Sequence, residues 1–104
     1  MAPETMTAAV MYAPGDIRVE GVNVASPGPA EVLLKVAACG VCGSDIPRML
    51  RNGGYVMPII CGHEFSGYVE QLGEGVTGFE LGDLVSVPPL IPCYHCDFCL
   101  RGEF

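Results

Sequence analysis

The chain has 104 residues, five Lys or Arg against twelve Asp or Glu, and a formal charge of −7. That balance argues against a phosphate-backbone ligand such as nucleic acid, which needs clustered basic residues. No apolar run approaches the roughly eighteen residues of a membrane span. Half of the residues are hydrophobic, with fourteen glycines and nine prolines, a composition that suits one turn-rich β domain with a single core. Residues Met1 to Asp16 carry no Lys or Arg and no compact apolar segment, so no secretory leader is expected. Without a leader, the clustered spacing of the six cysteines favours metal binding in a reducing, cytoplasmic compartment over a disulfide framework.

In chain order, Thr7 to Tyr12 form an apolar run, Pro14-Gly15-Asp16 signals a turn, and Ile17 to Glu20 alternate with period two. Together they read as a β-hairpin. After the break at Pro27-Gly28-Pro29, Glu31 to Ala38 read as a longer strand, with Val32, Leu34 and Val36 on one face and Leu33 and Lys35 on the other. This strand delivers Cys39 and Cys42. Residues Ser44 to Leu50 predict a short helix, with Ser44 as its N-cap and Pro47 confining the helix start to its first turn. It ends at Asn52-Gly53-Gly54. Arg48 and Arg51 are read as solvated surface positions in preference to phosphate contacts, because arginine is ordinarily exposed.

Pro58 opens an extended approach through Ile59 and Ile60 to Cys61-Gly62-His63, with Gly62 giving the backbone freedom beside His63. A catalytic zinc takes three protein ligands of the Cys, His or carboxylate kind and leaves a fourth position open. Cys42 and His63 are two such ligands. The Ser44 hydroxyl and the Asp45 and Glu64 carboxylates lie beside them, as proton relay and outer support of the metal would require.

Glu64 to Leu72 read as a strand. The next residues, Gly73-Glu74-Gly75-Val76-Thr77-Gly78, spell G-x-G-x-x-G, the dinucleotide fingerprint, but that motif works only where its glycines lead into a helix. Here Gly82 arrives within four residues and Asp83 to Val87 are β-like. A tight loop between strands is expected instead. Last come Cys93, Cys96 and Cys99, whose repeated two-residue gaps suit chelation of a structural zinc. A closed structural site takes four ligands; His95 could substitute as the fourth, but beside Cys96 a solvent-facing loop position is the preferred reading.

These motifs resemble the catalytic-zinc half of the medium-chain zinc-dependent alcohol and polyol dehydrogenases. Gly62-His63-Glu64-Phe65-Ser66-Gly67, with Gly73 and Val76 beyond it, fits that family's zinc signature. The segment Ser44 to Gly53 is more similar to the sugar-alcohol phosphate branch than to simple alcohol dehydrogenases. The resemblance implies a mainly β, GroES-like partial barrel with a short helix and a C-terminal zinc-binding loop. It assigns Cys42 and His63 to a catalytic zinc, Ser44 to proton relay, Asp45 and Glu64 to support of the site, and Cys93, Cys96 and Cys99 to a structural zinc. Cys39 and Cys61 are left as packing residues.

It also implies a longer enzyme, a homo-oligomer acting on a small alcohol or polyol, in which a separate Rossmann domain binds NAD(P). That domain, a third catalytic ligand and a fourth structural cysteine are expected beyond residues 1–104, a stretch that ends inside the zinc lobe begun at about residue 90. The expected reaction is oxidation of a secondary alcohol of a polyol or polyol phosphate to a ketone, and the 104 residues alone are expected to be inactive. The alternative is a stand-alone, non-catalytic GroES-like zinc-binding module. A disulfide-stapled secreted domain is a third and weaker reading.

Overall fold

The hairpin turn at Pro14-Gly15 organises the first of two small sheets. The structure, a computed structural model, describes residues 3–104. Met1 and Ala2, where the expected leaderless N-terminus begins, lie outside the described residues. Strands β1 (Thr5–Ala13) and β2 (Asp16–Asn23) pair antiparallel from Thr5↔Asn23 to Met11↔Ile17, then skip Tyr12 before Ala13↔Asp16. The turn is held from outside the sheet: the Gly15 N–H donates to the Met49 carbonyl at 2.7 Å. On the other side of β1, the short β4 (Ile59–Ile60) pairs through Val10↔Ile60 and Met11↔Ile59. That pairing fixes where the chain enters Cys61-Gly62-His63.

The second sheet has the order β3-β5-β6, from β3 (Val32–Cys39), β5 (Phe65–Leu72) and β6 (Leu84–Val87), all antiparallel. Its β3–β5 pairing skips Ala37, passing from Val36↔Gly67 to Ala38↔Ser66. This bulge sits where the backbones run unusually close. A Cβ on the buried Gly67 would press on the Lys35 carbonyl oxygen and lie 3.0 Å from the Val36 Cα, so only glycine fits there. A bulge also bends its strand and re-aims the residues beyond it. The pairing also slips earlier, from Leu33↔Gln71 to Leu34↔Val69, and the expected single apolar face of β3 is not clean: Val32, Leu33 and Leu34 are all half-buried, and Val36 is 56% exposed. Cys39, expected as a small buried residue, is exposed, because the second half of β3, from Lys35 onward, is left uncovered.

The stretch after Cys42 is helical, as expected, but not regular. A single turn, α1 (Asp45–Pro47), widens into a π-helical segment (Arg48–Asn52) that closes with the Gly53 N–H on the Arg48 carbonyl at 2.8 Å. Ser44 precedes α1 without donating or accepting a side-chain capping bond; the neighbouring Asp45 carboxylate instead accepts the Cys42 N–H at 2.9 Å. The glycines at 73, 75 and 78 form the β5–β6 loop, and no helix comes after them before β6, so the dinucleotide reading fails as expected. The C-terminal lobe carries only α2 (Asp97–Leu100).

Burial is sparse. Val10, Met11 and Val69 are the buried apolar side chains among the described residues, a thinner core than the composition suggests. The accessible surface is 7675 Å², against about 5,600 Å² for a folded monomer of this mass. The radius of gyration is 15.7 Å, against about 13 Å for a compact chain of this length. Both sheets stay open, which leaves apolar faces uncovered. No helix among the described residues is long and apolar enough to cross a membrane.

Candidate metal centre

Two polar groups of donor atoms come together among the described residues. The first joins the loop after β3 to the segment before β5. Because β3 and β5 pair through Cys39↔Phe65, and the Gly40 N–H donates to the Glu64 carbonyl at 2.7 Å, the residues just past β3 face those just before β5. As a result Cys42 Sγ, a His63 ring nitrogen and a Glu64 carboxylate oxygen lie within 4.8 Å of one another. Two donors bound at about 2.0–2.3 Å to one ion stand at most about 4.6 Å apart, so small side-chain rotations close this set on a metal. Thiolate and imidazole together suit zinc.

Behind the donors sits Asp45, 2% exposed. Its Oδ2 accepts the Cys42 N–H, and its Oδ1 lies 3.5 Å from His63 Nδ1 with no other hydrogen-bond partner. A buried carboxylate oxygen left unpartnered is costly, and the imidazole N–H is the group that relieves it. When Nδ1 carries that proton, the ring presents Nε2 as a free donor, which is how a metal-bound histidine is held. The donor set and this orphaned oxygen therefore fit a bound metal ion. Gly62 makes the approach possible: its φ is +136°, and a Cβ there would stand 3.0 Å from Cys39 Sγ.

Of the other sequence candidates, Ser44 is exposed and lines a cavity of about 270 Å³ together with Arg48 and Tyr55. Glu64, expected as a supporting group, stands with the donors themselves. Cys61 is half-buried and outside the cluster, while Cys39 only bonds weakly to the Gly40 carbonyl. Arg48 and Arg51 are both expected at the surface; Arg51 is there, but Arg48 is half-buried.

The second group is Cys93, Cys96 and Cys99, again within 4.8 Å. Tyr94 adopts a left-handed backbone, φ 62°, which tightens the turn between the first two cysteines. The loop aims N–H groups at sulfur: Cys96 N–H at Cys93 Sγ and Cys99 N–H at Cys96 Sγ, both at 3.4 Å. The backbone N–H groups of His95 and Cys96 pull the Cys93 thiol down from its ordinary value of 9.0 to about 7. Such a site favours thiolates, the form that binds metal. His95 is exposed and its Nδ1 lies 2.9 Å from the Cys93 carbonyl. All six cysteines are unpaired.

Residues 28–104 match the alcohol dehydrogenase GroES-like domain. The chain belongs to that family. It is 49% identical over 74 residues to galactitol 1-phosphate 5-dehydrogenase of Escherichia coli K12, covering 71% of this chain and 21% of the relative. Against sorbitol dehydrogenase of Bacillus subtilis it is 40% identical over 106 residues, covering 98% of this chain and 30% of the relative. The solved structure of a cobalt- and zinc-bound thermostable alcohol dehydrogenase from Pyrobaculum aerophilum superposes with a TM-score of 0.89 at 38% identity, covering 95% of this chain and 31% of that one. The chain thus spans between 21% and 31% of the length of these proteins. The mainly β, GroES-like fold expected from the sequence is the one found.

Proposed function

We propose that this chain is the zinc-binding N-terminal part of an NAD(P)-dependent oxidoreductase that converts a secondary alcohol of a polyol or polyol phosphate to a ketone. The observation that carries the reading is the convergence of Cys42, His63 and Glu64 in front of the buried Asp45 carboxylate. Cys42 and His63 would hold the ion, with Asp45 fixing the ring of His63 and the loop N–H of Cys42. Zinc, when bound, supplies Lewis acidity toward the substrate hydroxyl. Ser44 is exposed beside the same loop, where its hydroxyl can accept the alcohol proton and pass it to solvent. Glu64, also exposed, can act as a further donor or take up a proton. Cys93, Cys96 and Cys99 would hold a second, structural zinc.

Hydride acceptance belongs to NAD(P), held by a part of the protein outside these residues. The thin core and the surface about 2,000 Å² above expectation favour a part of a larger assembly over a stand-alone zinc-binding module. Sequence similarity to a galactitol 1-phosphate dehydrogenase and a sorbitol dehydrogenase supports the polyol class. The test is turnover by the full-length protein with NAD or NADP on hexitols and hexitol phosphates, before and after zinc chelation. Activity lost on chelation and restored by zinc is expected; chelator-resistant turnover contradicts the reading.

A further inference from the structure

The five cationic side chains of this acidic protein are treated unequally. Arg18 and Arg101 pair at 2.9 and 3.0 Å with Asp16 and Glu103, each two residues away, and both pairs are at the surface. Lys35 and Arg51 are also exposed. Arg48 alone is half-buried, and among the described residues it has no carboxylate within ion-pair distance. With twelve acidic side chains available, none is placed against it. A guanidinium keeps its charge under all ordinary conditions, so a half-buried one with no carboxylate beside it is left available to an anion.

The cavity beside it suits such an anion. Ser44, Arg48, Asn52, Gly53, Gly54 and Tyr55 line an open concavity of about 270 Å³. This falls just below the ~300–1,000 Å³ of pockets that hold whole small ligands, and so suits one end of a ligand. Ser44, on the lining of this concavity, follows Cys42 by two residues in the same loop. The position of Arg48 is enforced from a distance: the hairpin turn grips the π-helical segment through the Gly15–Met49 hydrogen bond, and Arg48 closes the segment by accepting the Gly53 N–H. Arg51, on the same segment, does not line the cavity.

We propose that Arg48 anchors a phosphate subsite, which receives the phosphate monoester of an acyclic polyol phosphate while a hydroxyl of the same molecule faces the Cys42–His63 donors. The planar guanidinium fork matches two phosphate oxygens at once, and Asn52 lines the same concavity with an amide of its own. This assignment rests on the polyol dehydrogenase reading above and narrows its substrate class to phosphorylated polyols.

The test compares wild type, Arg48→Gln, Arg48→Lys and Arg51→Gln in the full-length protein, on a hexitol 1-phosphate and on the same hexitol without phosphate. Loss of a charge-assisted contact predicts a KM for the phosphate substrate raised about 10- to 100-fold in Arg48→Gln, with kcat changed much less. The loss on the phosphate substrate should exceed that on the hexitol by at least about tenfold. Arg48→Lys should recover part of it, and Arg51→Gln should resemble wild type. Equal losses on the two substrates, or none on the phosphate, overturn the subsite. If wild type oxidises neither polyol, the dehydrogenase reading fails separately, and calorimetric titration with inorganic phosphate then decides the role of Arg48. Phosphate bound as tightly by Arg48→Gln as by wild type, at equal zinc content, overturns the subsite; binding weakened about tenfold or more sustains it.

Discussion

The carboxylate of Asp45, 2% exposed, stands with Oδ1 3.5 Å from Nδ1 of His63 while its Oδ2 holds the backbone N–H of Cys42. One buried side chain therefore sets the position of both proposed zinc ligands. Asp45→Asn keeps the shape and removes the charge that favours a proton on Nδ1. Zinc affinity at this site is expected to fall about 10- to 100-fold, as for other groups that orient a metal ligand. Competition with a chromophoric chelator measures it; unchanged affinity contradicts the positioning role.

Gly62 lies between β4 and His63 with φ +136°, a conformation that side chains other than hydrogen rarely adopt. Gly62→Ala adds a Cβ 3.0 Å from Cys39 Sγ as well. Urea unfolding should show a loss of roughly 1–3 kcal/mol, typical of enforced backbone strain. A variant as stable as wild type would mean that the approach to His63 tolerates another backbone path.

The Cys93 thiol is lowered to about 7 from an ordinary value of 9.0, first by the His95 and then by the Cys96 backbone N–H. A lowered thiol pKa means that the reactive thiolate persists above that value and disappears as pH falls through it. In the metal-free chain, alkylation of Cys93 should therefore rise with pH around a midpoint of about 7, tracked by peptide mass spectrometry with Cys93→Ser as the reference. Added zinc should slow the reaction. A midpoint near 9 contradicts the arrangement of the loop N–H groups.

Local signals are enough for much of this architecture. Pro14-Gly15-Asp16 specifies the hairpin because turn chemistry acts over three residues, and Gly82 with a β-like run excludes a phosphate-binding helix after Gly73. The cysteine and histidine motifs mark the donors because metal ligation restricts residue type. Other features depend on contacts across the chain. Cys39 is exposed because the second half of β3, from Lys35 onward, is left uncovered, which depends on what packs over the sheet and not on the local sequence. Glu64 stands with the donors because the Gly40 N–H pins its backbone. Arg48 is half-buried on a segment that a distant turn holds through the Gly15–Met49 hydrogen bond. No window around residue 48 contains that information.

In the proposed arrangement Cys42 and His63 hold a zinc ion separate from the one at Cys93, Cys96 and Cys99. Zinc per chain, measured by elemental analysis on purified full-length protein, tests it most directly in wild type, Cys42→Ala, His63→Ala and Cys96→Ala. Cys42→Ala and His63→Ala should each remove one zinc, and the double variant should remove no more than either alone. Cys96→Ala should remove a different one. Wild-type zinc content in the Cys42→Ala and His63→Ala proteins would contradict this arrangement.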